Sequence, residues 1–161
     1  MQIEYNRTGL IQHIKSEFKI DWHGIHGANH WARVLHHGKT IGEIRSADLL
    51  VIELFGLLHD SCRLNDGRDP KHGSRAAEFA LGIHGNYFQL QPNQLDQLCF
   101  AMEHHSGGEV SDDATIQTCW DSDRLDLGRV GIVPAPRFMS KEASLFINSA
   151  YDWSRGIKAS P

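Results

Sequence analysis

Residues 47–60 read ADLLVIELFGLLHD, and this stretch decides the fold. It is apolar on almost every face of a helical wheel, so it predicts a central helix buried all round rather than an amphipathic surface helix. That helix ends in His59-Asp60. An ionisable group that faces a core is costly without a partner, so two of them closing the most buried helix need a reason to be there.

The flanking sequence supplies more helices. Residues 61–70, SCRLNDGRDP, are dense in turn formers and predict a loop. Upstream, the spacing predicts a helix over 6–18 and a second over 27–45, with Trp31, Val34, Leu35, Ile41 and Ile44 facing inward. Downstream, a fourth helix starts after Pro70 and carries Ala76, Phe79 and Ile83. A fifth opens at Pro92 and stops at Ser106-Gly107-Gly108. A sixth covers 112–129, and after Val133-Pro-Ala-Pro136 a last one covers 140–155. Strand-like alternation of β-branched residues is missing, as are repeats and linkers. The expectation is an all-α, single-domain bundle of about seven helices over 1–161.

Gross composition narrows the function. With 161 residues, 40% hydrophobic and 22% charged, the chain can bury a core without staples. A net charge of −4 argues against bulk nucleic-acid binding. Cys62, Cys99 and Cys119 form no C-x-x-C pair, so neither a disulfide framework nor a zinc ribbon is indicated. No stretch has the length of a membrane span and the N-terminus lacks an apolar signal region, so a cytoplasmic setting is expected by default. The count of eleven histidines is high, and their positions carry the functional reading.

Each polar candidate was placed on its helical stripe. In the sixth helix the inward stripe is Ile116, Cys119, Trp120, Asp123, Leu127 and Val130, with Asp123 its one polar member. Asp121 falls with Gln117 and Arg124 on the polar side, and Asp126 sits at the edge. The fifth helix gives Leu95, Leu98, Met102 and His105, with His104 one step round. The fourth gives His72, Ala76, Phe79 and Ile83, and the second is headed by His30. One histidine on an apolar face is usually a satisfied core residue. Five helices each offering imidazole or carboxylate to one interior point instead to a metal centre, since these groups together bind zinc, iron, manganese and magnesium-type ions.

The order His30 in HWARV, His59-Asp60 in LFGLLHD and Asp123 in CWDSDRLDLG resembles the HD superfamily of metal-dependent phosphohydrolases over about residues 23–131. That resemblance implies a first divalent metal on His30, His59, Asp60 and Asp123. His72 in DPKHGSRAAE and the tandem His104-His105 in MEHHSGG match the order of branches that hold two metals. They imply a second ion on His72, His104 and His105 with Asp60 bridging. The metal itself (Mn, Fe, Co, Ni, Zn or Mg) is left open. Ser106-Gly-Gly-Glu departs from the G-Y-P element of the cyclic-dinucleotide branch, which speaks against that substrate.

The implied activity is hydrolysis of a small phosphorylated molecule, a nucleotide first among them, by metal-activated hydroxide with Asp60 at the centre. Arg63, Arg33, Lys71, Asp126 and His26 are the candidates for contacting substrate, with Asp126 also placed to hold a ligand histidine or Arg63. His13, His23, His36, His37 and His84 are assigned to surface or structure. Two alternatives stay open: a diiron oxygenase on the same fold, which uses a comparable ligand set, and a non-catalytic ligand-sensing HD module. A homo-oligomer is compatible with everything above.

Overall fold

The computed structural model describes residues 5–157. Its elements are α1 (Arg7–Glu17), α2 (Ala28–Arg45), α3 (Leu49–Leu58), α4 (His72–Ile83), α5 (Pro92–His104), α6 (Ala114–Arg124), α7 (Lys141–Ser144) and α8 (Ile147–Ser154). Two 3₁₀ turns, Leu127–Val130 and Pro136–Phe138, lie between α6 and α7. The architecture is an all-α bundle, and among the described residues no helix is long and apolar enough to cross a membrane.

Helix α3 lies at the centre and packs on α2, α5 and α6. Asp48 caps it by accepting from the Leu50 and Val51 backbone N–H groups, and Gln94 at the start of α5 donates to the other Asp48 oxygen. One carboxylate thus sets the entry of α3 and ties it to α5. Val51, Leu54, Phe55 and Leu58 are fully buried. The expectation of burial all round fails in the first half of the helix: Leu49 is 41% exposed, and Glu53 reaches the rim to accept from Tyr5 Oη and Arg7 Nε. Ile44 also departs from expectation. It is 54% exposed.

Two elements differ from the sequence pattern in ways that shape the site. The sixth helix does not run to residue 129. It tightens after Arg124 through i→i−3 bonds, Asp126 N–H to Asp123 O and Arg129 N–H to Asp126 O. A 3₁₀ turn advances fewer residues per revolution than an α-helix, so every side chain beyond it is rotated from its extrapolated direction. Asp126, expected at the edge, is fully buried. The last expected helix, 140–155, is interrupted at Leu145 and Phe146 and becomes α7 and α8.

The supposed polar side of α6 is not solvated either. Asp121, Gln117 and Arg124 are all buried under the segment 136–144. Asp121 accepts from Ser140 N–H, Ser140 Oγ and Gln117 Nε2. Burial raises the Asp121 pKa, and those donors only partly offset it.

A close approach brings α4 and α5 together. A Cβ placed on Gly73 would lie 2.2 Å from the Met102 carbonyl oxygen, a contact that only glycine avoids. The residue before it is His72, and three residues after Met102 comes His105. Gly73→Ala is expected to cost about 1–3 kcal/mol by forcing the two helices apart. A urea unfolding midpoint would check this, and wild-type stability in the variant would show that the approach is not tight.

Candidate metal centre

Six side chains converge from five elements. His30 comes from the first turn of α2, and His59 and Asp60 from the end of α3. His72 opens α4, His105 follows α5, and Asp123 sits in the last turn of α6. His30, His59, Asp60, His72 and His105 are buried, and Asp123 is nearly so. Three groupings have ligand atoms within 4.8 Å of one another: His30, His59 and Asp60; His59, His105 and Asp123; Asp60, His72 and His105.

The hydrogen bonds reveal what the imidazoles are arranged to do. His30 Nδ1 lies 2.6 Å from Asp126 Oδ2, and His59 Nδ1 lies 3.0 Å from Phe55 O. His72 Nδ1 lies 2.5 Å from Asp69 O, and His105 Nδ1 lies 2.6 Å from Met102 O. Carboxylate and carbonyl oxygens only accept, so all four Nδ1 atoms are donors. Each ring is thereby locked with Nε2 directed inward, the tautomer that metal-binding histidines adopt. The Nε2 atoms then face one another, at 3.1 Å for His30 and His59 and 2.8 Å for His72 and His105. Two lone pairs at that separation repel unless a cation or proton lies between them.

Asp60 joins the two histidine pairs. Its Oδ2 is 3.4 Å from both His30 Nε2 and His59 Nε2. Its Oδ1 is 3.2 Å from His72 Nε2 and 3.6 Å from His105 Nε2, and accepts from Arg63 Nε at 3.1 Å. One carboxylate therefore offers one oxygen to each pair. Asp123 Oδ1 lies 3.2 Å from His30 Nε2 and 3.5 Å from His59 Nε2, yet it is buried with no donor aligned on it. An orphaned buried carboxylate oxygen is rare and costly, and a metal ion would satisfy it. The nitrogen and oxygen donor set suits one or two divalent ions.

Protons supply the positive charge when no metal does. Burial disfavours a charged His59, but the Asp60 and Asp123 carboxylates outweigh it and hold His59 up to about 10. Burial and Arg129 likewise disfavour charge on His30, and Asp123, Asp126 and Asp60 still raise it. Burial works against charge on Asp60 and Asp123 too, and the imidazoles keep both well below the usual carboxylate range. The sign of the pH dependence follows. A histidine raised from 6.5 to about 10 stabilises the metal-free fold fully below 6.5 and loses that contribution as pH rises toward 10. Metal must displace the same protons, so affinity should increase over that window. Melting temperatures across pH 6–10, with and without Mn²⁺, check this: metal-free stability falls and metal-induced stabilisation grows.

The remaining candidates separate. His104 does not join the cluster. Its side chain is 38% exposed, pairs with Glu109 at 3.4 Å and packs on Phe100, because consecutive residues at a helix end point about 100° apart. Arg33 does not reach the pocket, and instead donates Nε and Nη2 to Asp126. Asp126 grips His30 and Arg33, not Arg63, and lies outside the pocket lining. Lys71 is exposed just before α4 and lines no part of the pocket. Arg63 and His26 do line it. His26 donates Nδ1–H to Asp66 Oδ1 at 2.8 Å, and burial keeps its pKa low despite that carboxylate.

Beyond the metal cluster lies a pocket of about 380 Å³, open to solvent and reaching Asp60, His72, His105 and Asp123 at its floor. Sequence reasoning missed two of its arginines. Arg129 is held by the Ile25 and Asp126 carbonyls, with Nη2 3.9 Å from Asp123 Oδ1. Arg124 donates to the carbonyls of Phe138 and Glu109 and so fastens the far wall. Neither carried a periodic signal, since the 3₁₀ turn and the 136–144 segment set their surroundings.

A crystal structure of a predicted HD superfamily hydrolase from an uncultured Thermotogales bacterium superposes with a TM-score of 0.70. It covers 94% of this chain and 88% of that one at 22% identity. The fold is HD-like. No protein-family model and no curated protein matches the chain. The HD-like bundle thus carries, at the point where its helices converge, a His/Asp cluster suited to holding one or two divalent metal ions.

Proposed function

We propose that this chain is a metal-dependent phosphohydrolase acting on a small phosphate ester, with a dinuclear centre on His30, His59, Asp60, His72, His105 and Asp123. The observation that carries the reading is Asp60, whose two oxygens face two separate imidazole pairs. Divalent ions held by these residues would lower the pKa of water and neutralise developing phosphoryl charge.

The protein's own groups would do the rest. Arg63 and Arg129 flank the centre, one beside Asp60 and the other beside Asp123, each anchored on backbone carbonyls. Two fixed guanidinium groups at one pocket floor suit the charge of a phosphate monoester. His26, neutral at pH 7 with its Nδ1–H spent on Asp66, presents Nε2 as a proton acceptor beside the same pocket. It would take a proton from the attacking water and pass it to the leaving oxygen. His26→Gln is expected to lower kcat about 10²–10⁴-fold. Wild-type activity should fall on its acid side as pH drops below 6.5 and His26 gains a proton. Unchanged kcat in the variant would remove His26 from the mechanism.

The paired arginines suit a doubly charged phosphoryl group, and on that ground we prefer phosphoryl transfer to the diiron oxygenase reading. The full ligand cluster argues against a non-catalytic module. Metal analysis followed by a phosphate-release screen with Mn²⁺, Co²⁺ and Ni²⁺ tests the proposal. Two ions per chain and phosphate release are expected. Iron-dependent oxygen consumption with no phosphate release would overturn it.

A further inference from the structure

Beside the metal-cluster residues and arginines, the pocket has an apolar lining of Leu127, Val130, Ala135 and Phe138. The loop between Val130 and Ala135 carries Ile132 and Val133 exposed at the surface, so the apolar character continues outward. Single exposed aliphatics are ordinary, but a run of them leading out of a pocket marks a binding surface.

Equally informative is what the wall can accept from a ligand. The carboxylates lining the pocket are Asp60 and Asp123, both in the metal cluster, and no asparagine or glutamine lines it. Arg124 donates to two backbone carbonyls, and apart from the imidazoles Ser106 is the one neutral polar side chain in the lining. A ribose diol or the hydroxyls of a sugar would lose hydrogen bonds to water here with few acceptors to replace them. Phe138 is held as a platform, with the Arg137 guanidinium 4.5 Å from its ring centroid and Arg124 at 6.0 Å.

We propose that the group esterified to the phosphate is an uncharged apolar alcohol, aryl or branched alkyl, seated on Leu127, Val130, Ala135 and Phe138 and not a nucleoside or sugar. This rests on the phosphohydrolase reading and narrows it. The reaction is an ordinary hydrolysis: a water oxygen bonds to phosphorus, the P–O ester bond breaks, and the departing alkoxide takes a proton. No other reactant is needed.

Two measurements on the full Mn²⁺-loaded chain separate the ideas. Benzyl and isopentyl phosphate are compared with glycerol phosphate, ribose 5-phosphate and AMP by kcat/KM. Benzylphosphonate is compared with 2,3-dihydroxypropylphosphonate by calorimetric binding. The apolar member should win each comparison by about tenfold or more, and Val130→Asn or Phe138→Ser should bring the ratio near one. Val130 is already part-exposed, so its variant is the safer one to fold. Preference for AMP or ribose 5-phosphate, or equal binding of the two phosphonates, would overturn the inference. If no ester releases phosphate while benzylphosphonate still binds better, the hydrolase reading falls and the apolar wall stands.

Discussion

Asp60→Asn should strip the centre of most of its metal. The substitution keeps the size of the side chain but removes the charge that faces His30 and His59 through Oδ2 and His72 and His105 through Oδ1. It also leaves Arg63 without its carboxylate. Loss of an outer partner of a metal ligand costs about 10–100-fold in affinity or activity, so loss of a bridging ligand should exceed that. Metal content by mass spectrometry should fall from two ions toward one or none, with phosphate release dropping by more than about 100-fold. Full occupancy with full activity in this variant would refute the bridging role and the proposed function with it.

Asp126 is the second large effect, and it acts from behind. Its carboxylate receives His30 Nδ1 at 2.6 Å and Arg33 Nε at 2.6 Å, all inside the fold. Asp126→Ala would leave a guanidinium and a locked imidazole facing an empty space, a loss of about 3 kcal/mol by the usual cost of orphaning one half of a buried ion pair. Asp126→Asn separates orientation from charge. The amide can still accept from one partner but no longer balances both, so His30 is free to turn its Nε2 away. Metal affinity should fall about 10–100-fold while the urea midpoint moves less than in the alanine variant. If the asparagine variant bound Mn²⁺ as wild type does, Asp126 would be a tie for Arg33 and nothing more.

The two variants also show how unevenly the site could be read in advance. Asp60 announced itself by closing an apolar helix; His30 and His72 each headed an apolar stripe, Asp123 interrupted one and His105 closed one. Those are local signals, carried by the helical period of the chain. His104 shared its helix end with His105, and which of two neighbours about 100° apart enters the cluster depends on how α5 seats against α4. Arg33 followed the right helix but turned toward Asp126. Arg124 and Asp121 looked solvated because nothing in their own helix says that residues 136–144 fold across them. Arg129 lies beyond a 3₁₀ turn, where extrapolating an α-helical phase gives the wrong direction.

Residues 47–60 by themselves were enough to determine that this protein is built around one buried helix ending in His59-Asp60. A surface apolar on almost every face has to be covered by other helices, and buried ionisable groups have to be matched. The tertiary structure decided the rest. It opened the first half of that helix to solvent at Leu49 and Glu53, locked four Nδ1 atoms so that four Nε2 atoms converge, and aimed one oxygen of Asp60 at each histidine pair. Helical periodicity specifies which face a residue occupies. The partner on that face depends on how distant segments pack.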